Sequence, residues 1–359
     1  IRVAVMEHEN ASEDVLMLGA KDEVSRVRDT VMLNKNASTK ILMIGAKDEN
    51  YTVRESVMRN KNASAAILML GSKDDDIDVR RAVGQNKNTS LSILLDLAKD
   101  KDRLVRQSIM SKSMATPEIL MIGAKDENSR IRHIVMLHER ATPEILMIGA
   151  KDKITLVRYG VARNNNASAE ILNLLAKDKD ADTRKAILKN KNASAATLNL
   201  LAKDSDSDIR VAVMRHENAS EDVLMIGAND IYSDIRVAVM GNKNASADIL
   251  MLGAQDEDCA VRETVMMHEN SSLKLLTIGA RDTDSDVRRA VVKNKNTSLT
   301  ILIELAKDED YKVRSLVMLN VRATPEILML GARDKDYKVR SLVMLNVRAT
   351  PEILMLGAR

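Results

Sequence analysis

The chain has 359 residues, with 55 Lys and Arg against 52 Asp and Glu, one Cys, five His, five Tyr, and neither Phe nor Trp. At 45% hydrophobic and 30% charged residues, it is too apolar for disorder and too evenly charged for a membrane span. A net charge of +3 sets up no strong field toward DNA, anionic lipid or an acidic substrate.

Cys259 has no partner within the chain, which excludes a disulfide framework and a thiolate cluster. No apolar run approaches the ~18 residues of a spanning helix. The opening Ile1-Arg2-Val3-Ala4-Val5 looks like neither a leader nor an initiator Met. The compartment stays open, with the cytoplasm slightly favoured.

From the N-terminus onward, an apolar residue followed by Arg stands at Ile1-Arg2, Val27-Arg28, Val53-Arg54, Val79-Arg80 and Val105-Arg106, and so on to Val339-Arg340, always 26 residues apart. Thirteen such steps reach residue 338, and the remaining 21 residues form a truncated fourteenth unit. No insertion or deletion breaks the phase. Enzymes need irregular loops to build a pocket, whereas strict periodicity suits a solenoid whose units touch only their neighbours. A single solenoid domain over 1–359 is expected.

Within residues 287–312, VRRAVVKNKNTSLTILIELAKDEDYK, two short helices are predicted. Val287, Ala290, Val291 and Asn294 fall on one face of the first. Ser298 supplies an N-cap for the second, which carries Ile301, Leu302, Leu305 and Ala306 on one side. The prolines, Pro117, Pro143, Pro325 and Pro351, each follow Thr and precede Glu, the first helical position, where no needed hydrogen bond is lost. An Asn-Lys-Asn turn ends the first helix and a Lys-Asp segment the second. No β-period appears. Helices of roughly eight to ten residues are marginal alone, so stacking must hold them.

This unit resembles the variant leucine-rich repeat, with Asn294-Lys295-Asn296-Thr297-Ser298 standing where that family usually has N-P-N-T-P. The spacing agrees through all fourteen units. The resemblance implies an all-α, right-handed solenoid of two-helix repeats, α/3₁₀ or α/α, related to HEAT arrays. It also implies an Asp and an Arg six residues apart, mirrored here by Asp308 and Arg314. A founding member of the family carries an iron–sulfur cluster on a Cys-rich segment; with Cys259 alone, no such cofactor is expected here.

Asp stands six residues before each Arg after the first: Asp22 before Arg28, Asp48 before Arg54, Asp178 before Arg184, Asp308 before Arg314. A bidentate ladder joining the loop of one unit to the helix of the next is expected, with Asp178 as the partner of Arg184. Matched opposite charges leave no surplus for a ligand.

Of the 21 Met residues, ten share one place in the unit (Met6, Met32, Met58, Met110, Met136, Met214, Met240, Met266, Met318, Met344), and the same ten units have Gly at a second place, from Gly19 to Gly357. The other four units carry Leu97, Leu175, Leu201 and Leu305 at the Gly place, and Gly84, Ala162, Leu188 and Val292 at the Met place. A lost core Leu leaves a void and an unbranched thioether chain is suited to refill it, so Met and Gly are read as a volume swap. A second Met row, two residues before the Gly, admits either an exposed contact strip or packing between units.

His8, His138, His216 and His268 take a turn position too far apart to share a metal; no metal, no cofactor and no catalytic residue is expected. Ten units contain N-x-[ST], beginning at Asn10 and Asn36, read as a turn Asn followed by an N-cap rather than a glycan site. Aromatic stacking residues are almost missing, which argues against nucleic acid. The expected function is a non-catalytic scaffold for a protein or peptide. The alternatives are a filament of copies stacked end to end and, less favoured, a nucleic-acid-binding array. The core-type Ile1 at the start and the half-unit at the end fit a segment of a longer array or such stacking, the segment being favoured, while the identity of residues 310–333 with 336–359 suggests a recent duplication or design. The row that varies most between units, and so the candidate partner-facing row, is Glu7, Leu33, Arg59, Gln85, Ser111, Leu137, Arg163, Lys189, Arg215, Gly241, Met267, Lys293, Leu319 and Leu345.

Overall fold

A computed structural model describes residues 1–112 and 115–357, so the chain end at Arg359 lies outside the described residues. Every regular element among them is an α-helix, 28 in all. Each unit contributes a first helix, such as Ser25–Leu33 or Tyr51–Arg59, and a second, such as Thr39–Gly45 or Ala65–Gly71. Of the two arrangements implied by the resemblance, α/3₁₀ and α/α, the described residues show α/α.

Local chemistry sets the helix limits. Ser38 accepts a hydrogen bond from the Ile41 amide and Ser64 from the Ile67 amide, capping the second helices as the sequence predicts. Pro117, Pro143, Pro325 and Pro351 each open a helix. Most second helices run seven residues, a little shorter than expected. At the end of Thr39–Gly45, for example, the Lys47 amide bonds the Ile44 carbonyl and the Asp48 amide bonds the Gly45 carbonyl, tightening the exit into a turn.

The chain divides into two compact units, Ile1–Asn192 and Ala193–Arg359. Within the first, neighbouring first helices pack on one another from Arg2–Glu7 to Ala181–Ile187, and those up to Thr155–Arg163 also pack on their own unit's second helix. The side chains of Leu16, Val31, Ile41, Leu42, Val53 and Val57 are fully buried. The second has the same arrangement, with Leu224, Val239, Leu250 and Val265 fully buried. In both, the apolar face of one short helix is covered by the next repeat, which supplies the stability that isolated seven-residue helices lack.

Candidate functional site

Arg–Asp pairs run through both compact units with a connectivity different from that expected. Arg28 donates from Nε to Asp48 Oδ2 at 2.6 Å and from Nη2 to Asp48 Oδ1 at 2.9 Å, a bidentate pair across 20 residues. Its Nη1 donates to the backbone carbonyl of Asp22, six residues earlier, at 2.9 Å. Arg54 with Asp74, Arg158 with Asp178, Arg288 with Asp308 and Arg314 with Asp334 repeat the geometry. The carboxylate of Asp178 therefore pairs with Arg158, while Arg184 takes the Asp178 carbonyl at 2.7 Å. The six-residue spacing marks a backbone contact between units; the fold of a unit on itself brings the side chain of the Arg 20 residues earlier to the carboxylate. Sequence reasoning assigned the wrong partner because it followed the shorter separation along the chain.

Each Asp thus ties three segments together. Asp48 Oδ1 also accepts from the Asn50 amide at 2.9 Å. Burial pushes the Asp48 and Asp178 carboxyls up, but the bonds from Arg28 or Arg158 and from the Asn50 or Asp180 amide outweigh it, holding both below the usual range. The partner guanidinium groups are raised, chiefly by the hydrogen bonds they donate to the same carboxylates.

A second ladder was not anticipated. Asn34 Nδ2 donates to the Met6 carbonyl at 2.7 Å and to the His8 carbonyl at 3.2 Å, and its Oδ1 accepts from the Asn36 amide at 2.8 Å. Asn60, Asn86 and Asn164 do the same in the first compact unit, Asn242 and Asn294 in the second. His138 and His268 occupy this place with the same logic. His138 Nδ1 accepts from the Arg140 amide at 3.0 Å and Nε2 meets the Lys112 carbonyl at 2.8 Å, so the ring is the Nε2–H tautomer and imitates an Asn. The signal in the sequence was the exchange of His for Asn at one position. Among the described residues no group of three or more His, Cys, Asp or Glu could hold a metal ion. The following Asn of each turn is also engaged: Asn36 Nδ2 donates to the Glu9 carbonyl and Asn62 Nδ2 to that of Lys35.

The Met and Gly rows meet within each unit. A methyl built on any of the ten glycines, from Gly19 to Gly357, would lie under 3 Å from the sulfur of Met6 to Met344 in the same unit. Nine of these Met side chains are buried and Met344 is half-buried. The units with Leu97, Leu175, Leu201 and Leu305 bury that Leu instead and carry Gly84, Ala162, Leu188 and Val292 at the Met place; a methyl on Gly84 would meet Ile109 of the next first helix.

The second Met row is half-buried at Met17, Met43, Met121, Met147, Met251 and Met329 and exposed at Met69, Met225 and Met355. One place further on, Leu18, Leu70, Leu174, Leu200 and Leu252 are also exposed, a row the sequence analysis did not separate from the core.

All fourteen residues of the candidate row are exposed. They sit at or just beyond the last turn of the first helices because the next residue, Asn34 or its equivalent, turns inward to the ladder. Adjacent members border grooves between neighbouring first helices. Gln85 and Ser111 line one of 360 Å³, Arg163 and Lys189 one of 760 Å³, and Arg215 and Gly241 one of 490 Å³. Within each compact unit the row therefore shares a face, with successive members bounding successive grooves.

No family model matches the chain, and no curated protein matches it. Among solved structures, the chain is similar to a leucine-rich repeat variant. That match is 23% identical, covers 58% of this chain and 83% of the other, and has a TM-score of 0.47. Two longer proteins also match: the Kap95p structure described as inducing the switch loops of RanGDP to adopt the GTP-bound conformation (14% identical, 99% of this chain and 44% of that one, TM-score 0.22), and the Schizosaccharomyces pombe condensin Cnd3-Cnd2 subcomplex (13% identical, 93% and 55%, TM-score 0.26). The family resembled on residues 287–312 is met among these solved structures, and the described residues have an all-helical repeat fold.

Proposed function

We propose that the chain is a non-catalytic scaffold whose first-helix grooves receive a protein or peptide partner. One observation carries this: an exposed row that changes identity at every step but the last, from Leu319 to Leu345, stands on a framework whose neighbouring positions repeat almost without change. Leu33, Leu137, Met267, Leu319 and Leu345 in that row are all exposed apolar side chains, which suit contact with the apolar side chains of a peptide. The charged and polar groups behind the row are committed to the Arg–Asp and Asn ladders, which supports a structural rather than catalytic use. The 26-residue phase runs through position 192 without insertion, which supports the reading of 1–359 as one repeat domain.

The test is selection of a displayed random-peptide library on the intact chain. Enriched peptides should lose binding to the Leu33→Glu, Leu137→Glu and Met267→Glu variants and keep it toward Met69→Asp, on the second helices. Peptides indifferent to every row substitution would overturn the proposal.

A further inference from the structure

The groove between helix Thr155–Arg163 and helix Ala181–Ile187, inside the first compact unit, departs from the charge matching found elsewhere. Its volume is 760 Å³, and Leu156, Tyr159 and Arg163 face Lys185, Ala186 and Lys189 across it. At 51% exposure Leu156 is an accessible apolar contact.

Comparison at one repeat position isolates what is different. Arg59 stands at the same place as Arg163, and its charge is met by Glu55, one helical turn earlier, at 2.5 Å. In the unit of Arg163 that carboxylate is replaced by Tyr159, whose ring lies 5.8 Å from the guanidinium carbon. In the next unit the place is taken by a second cation, Lys185, one turn before Lys189. Arg81 and Arg289, at the Tyr159 place in other units, are paired with Asp78 and Asp286. Arg163, Lys185 and Lys189 have no salt bridge among the described residues, so three cations without an ion-pair partner line one groove, against two carboxylates.

The acids that line the groove lie at its other end. Asp180 is committed to the helix start, accepting from the Thr183 amide and hydroxyl at 2.8 Å each. Asp182 stands three residues before Lys185, the spacing of Asp78 and Arg81, yet forms no salt bridge with it, and it lies at the start of the helix whose end precedes Lys189. The groove is therefore polarised, with an apolar and aromatic middle.

We propose that this groove binds an acidic segment of a partner protein, an extended peptide whose adjacent carboxylates meet Arg163, Lys185 and Lys189. An aromatic or aliphatic side chain of the same peptide lies on Tyr159, Leu156 and Ala186. A basic residue about three positions from the carboxylates, at about 3.4 Å per extended residue, reaches Asp182. Guanidinium and ammonium donors recognise carboxylate by charge-assisted hydrogen bonds, and the polarity fixes the direction in which the peptide lies. This assignment rests on the scaffold reading above and gives one of its grooves a ligand class.

The test is fluorescence anisotropy of the intact chain with a labelled peptide, Gly-Lys-Ser-Phe-Glu-Glu-Gly, and its charge-reversed counterpart, Gly-Glu-Ser-Phe-Lys-Lys-Gly. Saturable binding of the first peptide that weakens with added salt, and weakens tenfold or more in Lys185→Glu/Lys189→Glu, is expected, with the reversed peptide gaining in that variant. Both lysines are exposed, and a thermal melt of the variant confirms its fold. Absence of binding by the first peptide, or equal affinity in the double variant, overturns the assignment. Binding insensitive to that pair yet lost on Arg59→Glu or Arg215→Glu overturns this groove and leaves the scaffold reading standing. Binding lost only on Met69→Asp overturns both.

Discussion

Replacing Asp178 with Asn removes one charge from the middle of the Arg–Asp ladder while keeping its shape. In the folded chain the pair has side-chain exposures of 8% for Arg158 and 5% for Asp178, with bonds of 2.5 and 2.9 Å. Stripping one partner from a buried pair costs about 3–5 kcal/mol, because the other charge stays buried. Arg158 keeps its bonds to the Asp152 carbonyl at 2.9 Å and to Thr155 Oγ1 at 3.4 Å, so the lower end, about 3 kcal/mol, is expected. The Asn retains an acceptor for the Asp180 amide, which Asp178→Ala would forfeit for about 1 kcal/mol more. For a compact unit of 192 residues, a shift of about 2–4 °C per kcal/mol places the loss in melting temperature at about 6–12 °C. Circular dichroism at neutral pH measures it, with the exposed Glu139→Gln as a control expected within about 0.5 kcal/mol of the parent. A melt of Asp178→Asn superimposable on the control would refute the argument that the pair is structural.

The carboxyls of Asp48, Asp152, Asp178, Asp230 and Asp334 are all held below their ordinary value of 3.8. A depressed folded-state pKa contributes stability in full above the unfolded value and loses it as pH falls through the folded one. Melting temperature should therefore hold near neutrality and fall below about pH 4, by less in Asp178→Asn; an acid limb as steep in the variant as in the parent would count against it. Gly253→Leu forces a side chain into the Met240 sulfur, and Met240→Ala alone empties a core site for about 2–5 kcal/mol. The double variant reproduces the Leu175 and Ala162 pairing and should be more stable than the sum of the two losses by about 1–3 kcal/mol, measured by urea denaturation; strict additivity would contradict the volume swap. Asn164→Ala, which strands the Met136 carbonyl and the Asn166 amide and leaves the His138 carbonyl only its bond from the Ala141 amide, should cost about 2–3 kcal/mol. His138→Asn should change stability by less than about 1 kcal/mol, since Asn supplies the same donor and acceptor; a large loss there would contradict the shared role.

By itself the sequence determined the period, the two helices per unit and their limits, because these depend on contacts within a dozen residues. Ser38 caps its own helix and Pro117 opens its own, and each signal is complete in the local chain. The pairing of Met with Gly was also readable, since a missing volume and its replacement vary together from unit to unit. The tertiary structure alone decided which residues meet between units. Arg28 reaches the carboxylate of Asp48 across 20 residues of its own unit, and only the backbone carbonyl of Asp22 in the unit before, because folding of the helix pair brings the unit's closing loop back against the guanidinium. The Asn34 ladder was hidden for the same reason: a turn Asn and an inter-unit strut have one sequence signature. The groove at Arg163 and Lys189 needed both, since the row was visible as variation along the chain, while the convergence of three cations on one cleft exists only once neighbouring helices lie side by side.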